Sequence, residues 1–181
     1  EQGPVLPPRD GLTDRSTVTL VGEMFPGDPV AIDRLLQPLG LAAGTVVPTR
    51  EWRELYTALD GAAVAALHPF YTAAYREFEA AGRPIVPSAP VGHDGTDAWL
   101  DAVAAACGVE SARLDEAKAV VLPAIRSALA DNRVSGRITL SGYEGSELLV
   151  ARLLVESGAD VLYVGTACAQ TRWSEPDRVW L

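Results

Sequence analysis

Apolar residues in this chain recur at two spacings that take turns along its length, and this alternation constrains the fold more than any other feature. Short runs of Val, Leu, Ile and Ala bounded by Gly or Pro read as buried strands, while the stretches between them repeat apolar residues every three to four positions, as helices do. Strand and helix in alternation predict βαβ units, a parallel sheet and helices on its faces. The first expected strand is 17–23. Asp28 is then an N-cap with Pro29 at the first helical position, and Ile32, Leu35, Leu36 and Leu39 mark one helical face up to Gly40. Strands are expected at 45–48, 62–67 and 84–86, with helices at 51–59 and 72–81 between them. The Gly- and Pro-rich 87–96 reads as a loop in which Thr96 caps a helix over 97–106 that Gly108 closes. A helix over 111–130 carries Pro123 as an expected kink.

The rhythm restarts at Arg137. Val18-Thr19-Leu20 can be laid on Ile138-Thr139-Leu140, and Arg34-Leu35-Leu36 on Arg152-Leu153-Leu154, so two similar modules are expected. The second has a strand at 138–141, a turn through Gly142-Tyr143-Glu144-Gly145, a helix at 146–157 stopped by Gly158, a strand at 161–164 and a short capped helix at 174–181. The expected organisation is a strandless, Pro-rich linker at 1–16 and a complete Rossmann-like α/β domain at 17–108 with a four-stranded parallel sheet flanked by helices. A connecting helix at 109–136 and the first βαβ unit of a second, similar domain at 137–181 follow. The first residue, Glu1, and a second module with two strands against four read as a piece of a longer protein.

Composition removes several classes of function. Asp and Glu number 24 against 15 Lys and Arg, for a net charge of -9, and no basic cluster offers the electrostatic footprint of nucleic-acid binding. No apolar stretch reaches the roughly 20 residues of a membrane helix, and the first residues lack a basic, apolar leader pattern, so a cytoplasmic setting is expected. The two cysteines, Cys107 and Cys168, stand far apart with no ligand-spaced neighbour, so neither a disulfide framework nor a metal site is assigned.

In an open parallel sheet ligands bind beyond the carboxyl ends of the strands, which points to the residues just after each one. These are Glu23, Met24 and Phe25; His68 with Tyr71; His93; Tyr143 and Glu144; and Cys168. Glu23 and Glu144 occupy equivalent places in the two modules, where two acids facing one cleft could relay protons or hold a metal; the plainer reading is that each caps a helix or meets solvent. His68 could donate a proton to a substrate above the sheet, or serve as a turn histidine bonded to backbone. His93 lies in a Gly-flanked loop whose amides open a helix, a geometry suited to an anion or to a tight connection. Gly142-Tyr143-Glu144-Gly145-Ser146 lacks the Lys-Ser/Thr pair and the dinucleotide fingerprint of a nucleotide site. Cys107 reads as a small core residue, and Cys168 as a strand-end thiol.

Longer stretches carry a resemblance. Val21-Gly22-Glu23-Met24-Phe25-Pro26, Val47-Pro48-Thr49-Arg50-Glu51-Trp52, His68-Pro69-Phe70-Tyr71, Ser88-Ala89-Pro90-Val91-Gly92-His93-Asp94-Gly95-Thr96 and Leu140-Ser141-Gly142-Tyr143-Glu144-Gly145-Ser146-Glu147 resemble the Y-type subunits of chlorophyllide reductase, a branch of the nitrogenase-like reductases. That resemblance implies a fragment of a catalytic subunit whose full complex reduces a ring double bond of chlorophyllide on the route to bacteriochlorophyll. It implies a paired Z-type subunit, an ATP-hydrolysing iron-sulfur reductase as electron donor, and a [4Fe-4S] cluster held in the full complex outside this stretch. The isolated piece is then expected to be inactive. A related protochlorophyllide reductase or nitrogenase assembly subunit, and a two-lobed metal- or chelate-binding protein, are the alternatives.

Overall fold

The computed structural model describes residues 15–22 and 25–181. A four-stranded, all-parallel sheet in the order β2-β1-β3-β4 is built from β1 (Arg15–Val21), β2 (Ala42–Val47), β3 (Gly61–Ala66) and β4 (Ile85–Val86). Side chains alternate across it with the period of two that a pleated strand imposes. Val18, Leu20, Ala63, Ala65 and Leu67 point to one face, where α1 (Pro29–Leu36) contributes Ile32 and Leu36 and α4 (Gly92–Cys107) contributes Trp99, Leu100 and Val103. Val21, Val64 and Ala66 point to the other, against Tyr75 and Phe78 of α3 (Thr72–Ala80). Thr19 belongs to this second face, and its buried hydroxyl is satisfied by donating to the Ala58 carbonyl at 2.7 Å. The α/β sheet expected from the alternation is therefore present.

Local chemistry explains most boundaries. The Asp28 carboxylate accepts the Val30 and Ala31 amides at 2.9 and 3.3 Å, with Pro29 at the first helical position. Gly108 (φ 68°) closes α4 as a left-handed cap. α5 (Ser111–Asp131) then runs back along α4 and continues through Pro123.

Other boundaries differ from expectation. β1 starts at Arg15, which pairs with Gly61, so residues 15 and 16 belong to the sheet and not to a linker; residues 1–14 lie outside the described residues. The helix expected over 51–59 is only α2 (Trp52–Leu55), because the Thr57 hydroxyl folds back onto the Glu54 carbonyl and the chain tightens into the 3-10 turn Ala58–Asp60. Thr96 does not cap α4: the helix begins at Gly92, and the Thr96 hydroxyl donates to the Gly92 carbonyl one turn back at 2.6 Å. Ser174 bonds backward to Thr171 instead of capping α7 (Glu175–Trp180).

The second unit is a two-stranded parallel sheet, β5 (Arg137–Gly142) and β6 (Asp160–Thr166), joined by α6 (Glu147–Glu156). Several contacts fasten it to the first. Buried Asp177 on α7 accepts from Arg152 Nη1 of α6 at 2.5 Å and from the Ser88 hydroxyl, just after β4, at 2.6 and 2.7 Å. Trp173 packs edge-on against Tyr75 of α3, with ring centroids 5.1 Å apart. The Glu156 carboxylate, at the end of α6, accepts the first amides of α4, those of His93 and Asp94. Ser88 is the only non-glycine among the described residues with φ in the left-handed region, at 63°. Its amide donates to the Trp173 carbonyl at 3.0 Å, so the junction holds it in a conformation that costs about 1–3 kcal/mol elsewhere. No helix among the described residues is long and apolar enough to cross a membrane.

Leu20, fully buried between sheet and helices, is expected to lose about 2–5 kcal/mol of stability on Leu20→Ala. The exposed Val30→Ala should change it by less than about 0.5 kcal/mol. Urea unfolding followed by circular dichroism measures both, and equal losses would contradict this placement of the core.

Candidate functional site

Strand order reverses between β1 and β3, so the crevice at their carboxyl ends is the topological switch point of the sheet. Gly22 sits there with φ at 144°; a Cβ on it would lie 3.1 Å from Leu67 Cβ and 3.2 Å from His68 Cβ, which is why the chain can pass over the end of β3 only as glycine. The hydroxyl of buried Tyr75 pins the same point, donating to the His68 carbonyl at 2.5 Å while the His68 amide donates to it at 3.2 Å. Burial drives the Tyr75 phenol upward, so it acts only as a neutral hydrogen-bonding group.

His68, 2% exposed, follows β3 and caps the short 3-10 turn Pro69–Tyr71, its Nδ1 accepting the Phe70 amide at 3.4 Å. That bond leaves the ring proton on Nε2. The imidazole lies 4.7 Å from the Phe70 ring and 6.2 Å from that of Tyr71, and Phe70 itself is 56% exposed.

The second unit brings its own strand ends to this place. Gly145, in the loop after β5, has φ at 87°, and a Cβ there would lie 2.7 Å from Pro69 Cγ, 2.9 Å from Cys168 Sγ and 3.1 Å from His68 Cε1. Imidazole and thiol therefore flank one glycine, on opposite sides of the junction between the two units. The Cys168 thiol points toward the Tyr143 carbonyl at 3.8 Å, and burial pushes it above the usual thiol range against a smaller lowering by Thr166. Tyr143 is 77% exposed, and Glu144 is exposed beside it. Below His68, Ser88, Gly145, Leu148, Trp173 and Asp177 enclose a cavity of about 20 Å³, room for one water molecule.

Farther along the same rim, between α1, the segment before α4 and α6, an open cleft of about 590 Å³ is lined by Phe25, Pro26, Ala31, Pro90, Val91 and Leu153 among others. Its size is that of a small-molecule site, and its walls are mostly apolar.

The structure thus brings His68, Tyr71, Tyr143, Glu144 and Cys168 to one end of the molecule and places Phe25 on the wall of the cleft. Glu23 and Met24 lie outside the described residues, so the pairing of Glu23 with Glu144 has no geometry here. His93 is engaged: its Nδ1 pairs with Asp94 Oδ1 at 2.9 Å, and Arg126 Nη2 donates to its Nε2 at 2.9 Å. The helix-opening amides beside it are taken by Glu156, which replaces the anion reading of that loop with an intramolecular cap. The amides of Glu144 and Gly145 are likewise taken, by Glu147.

Sequence reasoning did not single out Glu147, which is 5% exposed and accepts from two amides and the Thr166 hydroxyl. Its one visible sign was an acid opening a helix just after a glycine-rich turn. Burial alone would raise its carboxyl, but hydrogen bonds from Thr166 and the neighbouring amides outweigh that and hold it below the ordinary glutamate range.

A family model described as "Nitrogenase component 1 type Oxidoreductase" matches residues 6–181. The chlorophyllide reductase 52.5 kDa chain of Cereibacter sphaeroides is 65% identical over 181 residues, all of this chain and 36% of that one. Its counterpart in Rhodobacter capsulatus is 61% identical over 179 residues, 99% of this chain and 36% of that one. The chain thus spans a little over a third of the length of these relatives. Among solved structures, one titled "Nitrogenase Cp1 at pH 5" superposes with a TM-score of 0.68 over 89% of this chain and 34% of that one, at 17% identity, a likeness of fold alone.

The depressed Glu147 pKa fixes a pH dependence. A carboxyl whose folded value lies below its unfolded one stabilises the protein above the ordinary glutamate range and loses that contribution as pH falls through the folded value. Urea unfolding at neutral pH and near pH 4 should show wild type losing more stability on acidification than Glu147→Gln; equal losses would mean that the carboxylate is not held in its charged form.

Proposed function

Since the chain belongs to the nitrogenase component 1 type oxidoreductases, we propose that it is part of the catalytic chain of a chlorophyllide reductase. The observation that carries this reading is 65% identity with a chlorophyllide reductase chain along all 181 residues. The reaction is a two-electron, two-proton addition to a ring double bond of chlorophyllide, with electrons from an ATP-hydrolysing iron-sulfur reductase and with a paired Z-type subunit completing the catalytic component. The protein works in the cytoplasm, and residues 15–108 and 137–181 belong to two domains linked through α5.

A [4Fe-4S] cluster, implied for the full complex, takes four ligands, usually cysteines. Cys107 lies on α4 among core-packing residues, its thiol pushed up to about 11 by burial, and Cys168 follows β6 in the other unit. These two residues do not fit such a cluster, so no ligand and no electron-transfer step is assigned to this chain.

What its residues supply is a surface for a flat, largely apolar ring. The cleft walls of Phe25, Pro90, Val91 and Leu153 exclude water from one side, and exposed Phe70 and Tyr143 stand at the neighbouring strand ends. The raised Cys168 pKa keeps a proton on Sγ at neutral pH, across Gly145 from the His68 imidazole. Exposed Glu144 is open to solvent at the same rim.

The test is anaerobic reconstitution of the full-length parent chain with its paired subunit, the reductase protein, ATP, a chemical reductant and chlorophyllide. A red-shifted bacteriochlorin absorbance band is expected from this mixture and none when the 181-residue piece replaces the full chain. Glu144→Gln and His68→Ala should each lower the rate of band formation. A properly cluster-loaded complex that leaves chlorophyllide unchanged would overturn the substrate.

A further inference from the structure

Tyr143 and Glu144 sit in the loop between β5 and α6, Cys168 follows β6, and one buried side chain holds both segments. Glu147 Oε1 accepts the Glu144 amide at 2.8 Å, and Oε2 accepts the Gly145 amide at 2.9 Å and the Thr166 hydroxyl at 2.8 Å. Thr166, having given its only hydroxyl proton to Glu147, uses the same oxygen to accept the Cys168 amide at 3.2 Å. A single carboxylate therefore sets the backbone on both sides of the strand ends, directly for the loop and through Thr166 for Cys168.

The two glycines of the loop follow from this arrangement. A Cβ on Gly142 would overlap Glu147 Oε1, so the carboxylate can fold under the loop only past a glycine. Gly145, with φ at 87°, turns the chain where Pro69, Cys168 and His68 close in. Ionised carboxylate is the form this network requires, since all three of its donors are N–H or O–H groups.

We propose that Glu147 is a positioning residue of the strand-end rim: it holds the Tyr143 loop and Cys168 in register with His68 of the neighbouring unit. This rests on the reading that the same rim receives chlorophyllide. Glu147 touches no substrate in this proposal; it acts through the groups it holds. In Glu147→Gln the amide nitrogen of the new side chain has a proton to donate where an acceptor is needed, so part of the network is lost without a change in side-chain volume.

The experiment uses the full-length chain assembled with its paired subunit, as wild type, Glu147→Gln, Thr166→Val and Thr166→Ser. Two quantities are read: kcat and KM for chlorophyllide in the reconstituted reaction, and the iodoacetamide alkylation rate of Cys168, followed by mass spectrometry of its peptide with Cys107 as internal reference. Glu147→Gln and Thr166→Val are expected to lower kcat about tenfold or more with KM little changed, as misplacement of a group near the reacting centre does. They should alkylate Cys168 several-fold faster than wild type, with Cys107 unaffected, and Thr166→Ser should restore both readouts. Wild-type kcat and Cys168 alkylation in folded Glu147→Gln and Thr166→Val would overturn the proposal. So would equal acceleration at Cys107, which would mean general loosening. If the wild-type complex fails to reduce chlorophyllide, the substrate reading fails, and the alkylation rates alone decide whether Glu147 positions Cys168.

Discussion

A buried ion pair between Arg152 and Asp177, each with about 4% of its side chain exposed, is the constraint on which the rest of the arrangement depends. Charges removed from water to this extent are tolerable only when paired and hydrogen-bonded; here the Ser88 hydroxyl adds to the Asp177 carboxylate, while Arg152 Nε has no hydrogen-bond partner among the described residues. Burial still raises the Asp177 carboxyl above the ordinary aspartate range, against the pull of Ser88 and Arg152. Arg152 of α6 and Asp177 of α7 both belong to the second unit, and the Ser88 hydroxyl, just after β4, ties their pair to the first, so the set is complete only when the two sheets are docked. The Arg178–Glu175 pair on the other face of α7 is about half exposed, and such pairs contribute about 0–1 kcal/mol.

Docking has consequences on either side of the pair. Toward α4, Trp180 covers the Arg152 guanidinium at 4.8 Å and donates to Asp94 at 3.3 Å, while Glu156 caps the helix. Glu156 stands at the carboxyl end of its own helix, where the dipole disfavours an anion, and at the amino end of α4, where the dipole favours one. Toward the strand ends, Gly145 and Cys168 of the second unit meet His68 of the first. Candidate cleft and inter-unit junction are thus adjoining parts of one surface, which places the rigidity of the junction under the geometry of the site.

The parts of this structure that were legible in the sequence are those decided within a few residues. Alternating periods announced the strands and helices, Asp28 and Pro29 opened α1, and Gly108 closed α4, each through contacts no more than one turn away. The parts that were not legible are decided by partners far along the chain. Thr96 has every local mark of a cap, yet the amides at the start of α4 go to Glu156, and Ser88 and Asp177 are separated by 89 positions. The internal repeat shows the same limit: Thr19 is fully buried and bonded to Ala58, whereas its counterpart Thr139 is exposed, and exposed Arg34 corresponds to Arg152 of the buried pair. Equal motifs gave equal elements and unequal environments. Strand-end residues were identifiable from topology, but Glu147, which organises them, was hidden because its partners become neighbours only after β5 and β6 pair.

The dependence of the docked arrangement on the buried pair is tested most directly by a double-mutant cycle on Arg152→Met and Asp177→Ala, read as unfolding free energy in urea. Asp177→Ala alone leaves a buried guanidinium without its carboxylate and is expected to cost about 3–5 kcal/mol, whereas the double variant should be clearly more stable than that single one because no buried charge remains unpaired. Additive losses, or a loss below about 1 kcal/mol for Asp177→Ala, would contradict the central role of the pair.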